Sequence, residues 1–226
     1  MSMAIVKITP SPLRTLVVLA LILSHARADP DPLQDYCVAD TSNRHSFWVN
    51  GAPCIDPHSA SVSHFTTSAL SKPGNPKANP FGSNVTLTNI ANLPGLNTMG
   101  LTMARVDIAG NGLVPPHSHP RASEVTICLE GVIGVGFVDT SNRLFTQILR
   151  PGESFVFPKG LIHYLYNFDW TNSALAISGF NSQNPGAQIA SLAAFTAKPG
   201  IPDKVLATAF QITGQDVARI RKNLGG

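Results

Sequence analysis

Two histidines and a glutamate lie close together in the middle of the chain, in a segment rich in proline. His117 and His119 are two residues apart, and Glu124 follows five residues after the second histidine. In extended backbone, side chains at positions i and i+2 leave the same face, so the two imidazoles can converge on one point. The flanking prolines favour extended backbone and reduce the conformational entropy that the segment loses on binding a metal. The segment therefore predicts a metal site.

A fourth candidate ligand is His163. Glu124 opens the apolar run 125–129, which predicts a strand, and we expect a hairpin partner of this strand to bring His163. A His-x-His pair in a loop is by itself more often polar surface than a metal site, but the carboxylate and the third imidazole favour a metal. Such a ligand set suits Mn, Fe or Zn, and leaves room for water or substrate if the metal prefers six ligands.

The same residues belong to two longer motifs. The first runs His-Ser-His-Pro-Arg-Ala-Ser-Glu over residues 117–124, and the second runs Pro-Gly-Glu-Ser-Phe-Val-Phe-Pro-Lys-Gly-Leu-Ile-His over residues 151–163. Together they resemble the two cupin boxes of plant germins and germin-like proteins, and the resemblance extends over nearly the whole chain after residue 28. It implies that a manganese ion, Mn(2+), is the cofactor and that no catalytic residue is needed beyond the metal centre. The ligands it implies are His117, His119, Glu124 and His163.

Residues 1–28 have the pattern of a secretory signal peptide. Lys7 and Arg14 give a positive charge to the region before a short apolar run, residues 16–23. Ala26-Arg27-Ala28 then forms a small-x-small cleavage site. The apolar run is shorter than the roughly 20 residues that span a bilayer, so we expect a secreted protein with no membrane span. Removing this segment takes the 16 basic residues to 13, equal to the 13 acidic residues. A balanced charge gives no indication of a nucleic-acid partner.

Residues 29–84 are predicted to form an N-terminal arm and a disulfide loop region. Cys37 and Cys54 are expected to form a disulfide, because a secretory route is oxidising and because the germin family pairs two cysteines at matching places. Cys128 is then a buried free thiol within an apolar strand. Asn84-Val85-Thr86 is a glycosylation acceptor, so Asn84 is predicted to carry a glycan.

Short β segments separated by turn residues occupy residues 85–200, without interleaved helices. This pattern predicts an antiparallel sandwich or barrel, and the resemblance implies a single-domain cupin jelly roll, an all-β fold. Helix-compatible spacing appears only in residues 201–226, over 203–210 and 215–224, with Thr213 as a possible N-cap. This tail is expected either to pack on its own barrel or to bind a neighbouring copy of the chain. The resemblance implies the second, in a homohexamer built as a trimer of dimers.

Three functions are open at this point. For a metal with two accessible oxidation states and an open coordination position, the simplest reaction is superoxide dismutation. The resemblance to germin-like proteins also implies this activity. Oxalate oxidation, the activity of the true germins, is the second function, and a non-enzymatic binding or storage cupin of the apoplast or cell wall is the third. Germins that oxidise oxalate carry asparagines at the places matching Ala104 and Val114, the substrate-pocket candidates. Both residues are apolar here, which disfavours oxalate.

Overall fold

The computed structural model of this chain describes residues 34–42 and 51–225. The predicted signal peptide, residues 1–28, lies outside these residues. Within the described ranges, no helix is both long enough and apolar enough to cross a membrane.

In residues 34–42 and 51–225 the regular structure consists of ten strands and three helices, together with four short 3-10 helices. The strands are β1 (Ser83–Leu87), β2 (Thr102–Ile108), β3 (Leu113–Ser118), β4 (Glu124–Glu130), β5 (Ile133–Val138), β6 (Leu144–Leu149), β7 (Ser154–Phe157), β8 (His163–Asn167), β9 (Ala174–Phe180) and β10 (Gln188–Ile189). The helices are α1 (Ala190–Phe195), α2 (Asp203–Phe210) and α3 (Gly214–Asn223). The 3-10 helices are Pro57–Ser59, Val62–Phe65, Pro76–Ala78 and Pro94–Leu96.

The strands form two five-stranded sheets. The first has the order β1-β2-β9-β4-β7 and the second the order β10-β3-β8-β5-β6. Every paired neighbour runs antiparallel. The predicted all-β jelly roll is confirmed.

Alternation along the strands sets the inner face of each sheet. On β2, Ala104, Val106 and Ile108 are buried, whereas Met103 is exposed. Strand residues with this period bury one face and leave the other outside. The inward residues form an apolar core that includes Ile108, Cys128, Ile133, Leu149 and Phe157.

The segment before β1 packs on the outside of the first sheet and is tied to a partly buried ion pair on β2. Arg105 and Asp107 both point outward from β2, and Nη2 of Arg105 lies 2.8 Å from Oδ1 of Asp107. Asp107 also accepts a hydrogen bond from the backbone N–H of Gly74, at 2.8 Å. The segment before β1 is therefore held by specific contacts, although its described residues form no strand.

The structure contains the predicted disulfide between Cys37 and Cys54, and Cys128 is a buried free thiol. The two bridged residues are 17 positions apart. Closing a loop of this size removes conformational entropy from the unfolded chain that is worth about 3 kcal/mol. The loop also packs against Asn97, whose amide hydrogen-bonds the N–H and the carbonyl of Ala52.

We predict that reducing this disulfide lowers the free energy of unfolding by about 3 kcal/mol. Urea titration with and without reductant measures this change. Peptide mass mapping without reductant is expected to recover Cys37 joined to Cys54, and thiol alkylation is expected to label Cys128 only after unfolding. Recovery of Cys128 in a bridge with either partner contradicts the assignment.

The C-terminal helices share a small core of their own. Phe195 of α1, Leu206 of α2 and Val217 of α3 are buried against one another. Thr213 caps α3 as predicted, because its hydroxyl accepts from the N–H of Asp216 and the Asp216 carboxylate accepts from its N–H. The sequence interpretation missed α1, which has only six residues and no side-chain cap.

Candidate metal centre

The four predicted ligands come from three strands in two sheets. His117 lies on β3 and His119 follows it directly, while Glu124 opens β4 and His163 opens β8. His117 and His163 are paired on neighbouring strands of the second sheet. Glu124 reaches them from the first sheet, where β4 pairs with β7 and β9. The site therefore joins the two sheets across the barrel interior.

One prediction about this arrangement is wrong. We expected His163 to lie on the hairpin partner of the strand that Glu124 opens. His163 instead lies on β8, whose partners are β3 and β5. In a jelly roll the chain crosses between sheets, so residues that face each other across the interior need not belong to paired strands.

A β-bulge shapes the approach to His117. The register between β3 and β8 shifts between Val114 and His117, over Pro115 and Pro116. Proline has no N–H to donate to a strand ladder, so it is found at bulges and edges. The bulge restores pairing at His117, opposite His163, with both imidazoles directed inward.

The four side chains converge in a buried group. One potential ligand atom from each lies within 4.8 Å of the others, and all four residues are buried. The Oε2 atom of Glu124 is 3.1 Å from Nε2 of His119 and 3.1 Å from Nε2 of His163. The His117 ring lies beside both other rings, with centroids 5.0 Å from His119 and 4.1 Å from His163.

The backbone fixes which imidazole nitrogen faces the group. Nδ1 of His117 donates to the carbonyl of Pro115 at 2.8 Å, and Nδ1 of His163 donates to the carbonyl of Leu161 at 2.9 Å. Nδ1 of His119 donates to the carbonyl of Gly186. A neutral imidazole has a single N–H, so each Nε2 carries a lone pair. Hydrogen bonds of this kind commonly orient metal-bound histidines.

The donor chemistry of the group fits a cation. Three Nε2 lone pairs and one carboxylate oxygen converge, and every one of these atoms is an acceptor when the imidazoles are neutral. Acceptors held this close repel unless a proton or a cation lies between them. Nitrogen and carboxylate ligands in this ratio suit a first-row divalent metal. The cluster of His117, His119, Glu124 and His163 is thus a metal-binding group.

The same contacts move the pKa values of two of these residues. Burial raises the pKa of Glu124, but in the metal-free protein a proton shared between its carboxylate and Nε2 of His119 or His163 outweighs burial and holds this pKa well below its ordinary value. Burial and the neighbouring His163 lower the pKa of His117 to about 4. The carboxylate is therefore ionised and the His117 imidazole is neutral at physiological pH, which are the forms that bind a metal.

We predict that acid destabilises the metal-free protein through His117. Its pKa falls from 6.5 in the unfolded chain to about 4 in the folded protein. The unfolded state therefore binds more protons between these values, so stability is full above pH 6.5 and is lost as the pH falls through 4. The loss is about 3 kcal/mol. Urea unfolding of the metal-free wild type and of His117→Gln, from pH 7 to pH 3.5, measures it; equal pH dependence in both contradicts this assignment.

Two residues that sequence reasoning did not single out contact the group. Thr126 donates from its hydroxyl to Oε1 of Glu124 at 2.7 Å. Gly186 supplies the carbonyl that orients His119, from 67 positions along the chain. The period of two along β4 could have indicated Thr126, since it shares the inward face with Glu124. No sequence signal points to a backbone carbonyl such as that of Gly186.

Arg121 holds the loop that carries this carbonyl. Its Nε donates to the carbonyl of Asn184 at 2.6 Å, and its backbone N–H donates to the carbonyl of Pro185 at 3.2 Å. Gly186 has a φ of +68°, and a Cβ there would lie 2.8 Å from Nη2 of Arg121. The loop is therefore fixed between Arg121 and His119, and Arg121 makes structural contacts with backbone.

A cavity of about 330 Å³ opens beside the metal-binding group. His117, His119 and Glu124 form part of its wall, together with Ser178 and Asn184. The rest of the wall is mostly apolar, and it includes both substrate-pocket candidates, Ala104 and Val114. The full lining is Val85, Leu87, Ala104, Val106, Val114, His117, His119, Glu124, Leu165, Ser178, Phe180, Asn184, Pro185, Gly186, Ala187 and Ile189.

Asn84, Glu153 and Cys128 lie away from the group. Asn84 is half-buried on edge strand β1, and its Oδ1 accepts from the Thr86 hydroxyl at 3.3 Å. Glu153 accepts from the N–H of Arg150 in an exposed turn. Cys128 donates to backbone carbonyls in the core, and burial raises the pKa of its thiol. A buried protonated thiol is a poor nucleophile, so Cys128 is a packing residue.

Residues 68–218 match the cupin family. The chain is 62% identical over 215 residues to germin-like protein subfamily 1 member 1 of Arabidopsis thaliana, covering 95% of this chain and 99% of that one. It is 55% identical over 217 residues to germin-like protein 3-1 of Oryza sativa subsp. japonica, covering 94% and 96%. An oxalate oxidase solved in complex with glycolate is 40% identical, with a TM-score of 0.81, covering 86% and 96%. The chain belongs to the germin-like proteins of the cupin superfamily.

Proposed function

We propose that this protein is an extracellular manganese superoxide dismutase. In the overall reaction, two superoxide ions and two protons give one dioxygen and one hydrogen peroxide. The observation that carries the proposal is the buried group of three Nε2 lone pairs and one carboxylate oxygen at the wall of a small cavity. The family resemblance favours manganese, which supplies a one-electron redox couple when bound.

The residues around the site suit a small anion. His117, His119 and His163 would hold the metal as neutral ligands, and Glu124 would contribute one negative charge. A divalent ion would then keep a net positive charge, which attracts an anion into a cavity that has few other polar groups. Superoxide has only two heavy atoms and needs no side-chain clamp beside the metal.

Oxalate oxidation is the first alternative, since solved oxalate oxidases resemble this chain over most of its length. Oxalate is a dianion with two carboxylates, and amide donors are the natural means of holding it. Ala104 and Val114 offer no side-chain donor at the two places where the family resemblance implies asparagine. This contrast favours dismutation over oxalate oxidation.

A non-enzymatic role in the apoplast is the second alternative. The apolar part of the cavity wall, which includes Leu87, Val106 and Phe180, favours binding of a small apolar molecule. A complete metal-binding group is not needed for packing or storage, and this favours a reaction. Retention of a metal without turnover would favour the binding role.

We also propose secretion to the cell wall, a glycan at Asn84 and a homohexamer. The signal-like segment 1–28 and the disulfide support secretion. Asn84 lies half-buried on an edge strand, within an acceptor motif for glycosylation. Apolar side chains are exposed on the outer face of the first sheet, at Met103, Val125 and Val156, and on α2, at Val205 and Phe210. Their exposure supports burial of both surfaces between copies of the chain.

The proposed domain bounds are 29–84, 85–200 and 201–226.

Side-by-side assays of the secreted protein test the proposed function. Metal analysis is expected to find close to one manganese per chain. Superoxide is expected to be consumed at a rate that scales with manganese content, and oxalate consumption is expected to stay near background. Efficient oxalate turnover, or full manganese occupancy with no dismutation, contradicts the proposal.

A further inference from the structure

A buried hydroxyl pair lies beside the metal-binding group. Thr126 is on β4, two residues after Glu124, and Ser178 is its direct partner on β9. Neither residue is exposed to solvent, and their side-chain oxygens are 2.7 Å apart. Hydroxyls without partners are costly inside an apolar barrel. Two neighbouring hydroxyls therefore need each other, but packing alone does not require either of them.

The two carboxylate oxygens of Glu124 have different partners. Oε1 accepts the Thr126 hydroxyl at 2.7 Å. Oε2 lies 3.1 Å from Nε2 of both His119 and His163. One oxygen therefore faces the converging imidazoles, while the other is turned toward β9 and engaged there.

Hydrogen counting gives the pair a direction. A hydroxyl has one hydrogen to donate, and an ionised carboxylate has none. Thr126 gives its hydrogen to Glu124, so Ser178 is the donor in its contact with Thr126. The Ser178 hydroxyl also interacts with the Glu124 carboxylate itself, so both hydroxyls stabilise the ionised carboxylate.

We propose that Thr126 and Ser178 are positioning residues that restrict Glu124 to binding the metal through Oε2 alone. A carboxylate can give a metal one oxygen or both, and a hydrogen bond to the second oxygen favours the first form. Keeping Oε1 away from the metal preserves a position for a small anion. This inference rests on the proposed metal site, but it does not depend on which reaction the site performs.

Cobalt(II) is a suitable probe, because its visible absorption reports the number and geometry of its ligands in the absence of catalysis. Thr126→Val removes the hydroxyl and nearly preserves the side-chain shape. We expect this variant to bind one Co(II) with weaker visible absorption than the wild type, as an added oxygen raises the coordination number. Azide, a small anion, is expected to bind the Co(II) form about 10- to 100-fold more weakly.

Three further variants separate positioning from packing. Ser178→Ala is expected to shift the spectrum in the same direction by a smaller amount, and Thr126→Ser is expected to restore the wild-type spectrum. Thr102→Val is the matched control, because Thr102 is also buried in the first sheet and its hydroxyl lies 2.7 Å from that of Thr88. It should lose comparable stability without changing the Co(II) spectrum or azide affinity.

Spectra that are the same for wild type and Thr126→Val overturn the inference, and so does an equal change in Thr102→Val. Should Thr126→Val fail to fold, an unchanged spectrum and azide affinity in Ser178→Ala overturn it. A wild-type protein that binds no Co(II) contradicts the metal site itself. Wild-type Co(II) binding without superoxide turnover in the manganese form contradicts only the proposed function.

Discussion

Replacing His163 by alanine is expected to strip the metal from the protein and remove its activity. The side chain is 1% exposed and its Nε2 lies 3.1 Å from Glu124. Loss of a residue that merely orients a ligand costs about 10- to 100-fold in metal affinity, so loss of a ligand should cost more than about a hundredfold. Metal analysis after dialysis against a weak chelator measures the effect.

Two further variants control for damage to the fold. His163→Gln leaves a smaller void, and it should also lose metal while retaining more stability. His58→Ala removes an exposed histidine outside the group and should leave metal content unchanged. The same loss is expected for His117→Ala, His119→Ala and Glu124→Ala, because the four residues act as one group. Full metal occupancy in His163→Ala excludes it as a ligand.

The wild-type protein is expected to bind oxalate at least a hundredfold more weakly than a cavity with two amide donors. Each hydrogen bond to a charged group is worth about 1.5–3 kcal/mol, and a factor of ten corresponds to about 1.4 kcal/mol. Ala104 and Val114 line the cavity together with three of the metal-binding residues. The double change Ala104→Asn with Val114→Asn is therefore expected to improve oxalate binding, measured by calorimetry on the metal-loaded protein.

Size has to be separated from hydrogen bonding in this experiment. Ala104 is fully buried beside Ala122 and Phe180, so a larger residue there is expected to cost about 1–3 kcal/mol of stability. The matched control is Ala104→Leu with Val114→Leu, which fills the same space without a donor. Equal oxalate affinity in the two double variants would show that the amides do not act as donors.

Three of the four ligands could be predicted from residue spacing because they are local. His117, His119 and Glu124 fall within eight residues, and extended backbone places the two imidazoles on one face. His163 was found through its motif and not through strand pairing, since the predicted hairpin was wrong. Only the crossing of the chain between sheets explains how His163 meets Glu124.

The groups that orient the ligands could not be predicted from the sequence. Ser178 meets Thr126 only through the register of β4 with β9. The Gly186 carbonyl meets His119 only because Arg121 holds its loop in place. Contacts of this kind depend on long-range topology, which residue spacing does not encode. Strand β2 and helix α3, by contrast, follow from local alternation and the Thr213 cap.

The most direct test of the central claim compares manganese and zinc in the same protein. The ligands are expected to bind both metals, but zinc has no redox change available. Metal-free protein would be reloaded with each ion to one equivalent, and superoxide decay would be followed after pulse radiolysis. The account predicts catalytic decay with the manganese form and only background decay with the zinc form. Background decay with fully occupied manganese protein, or equal rates with the two metals, would contradict it.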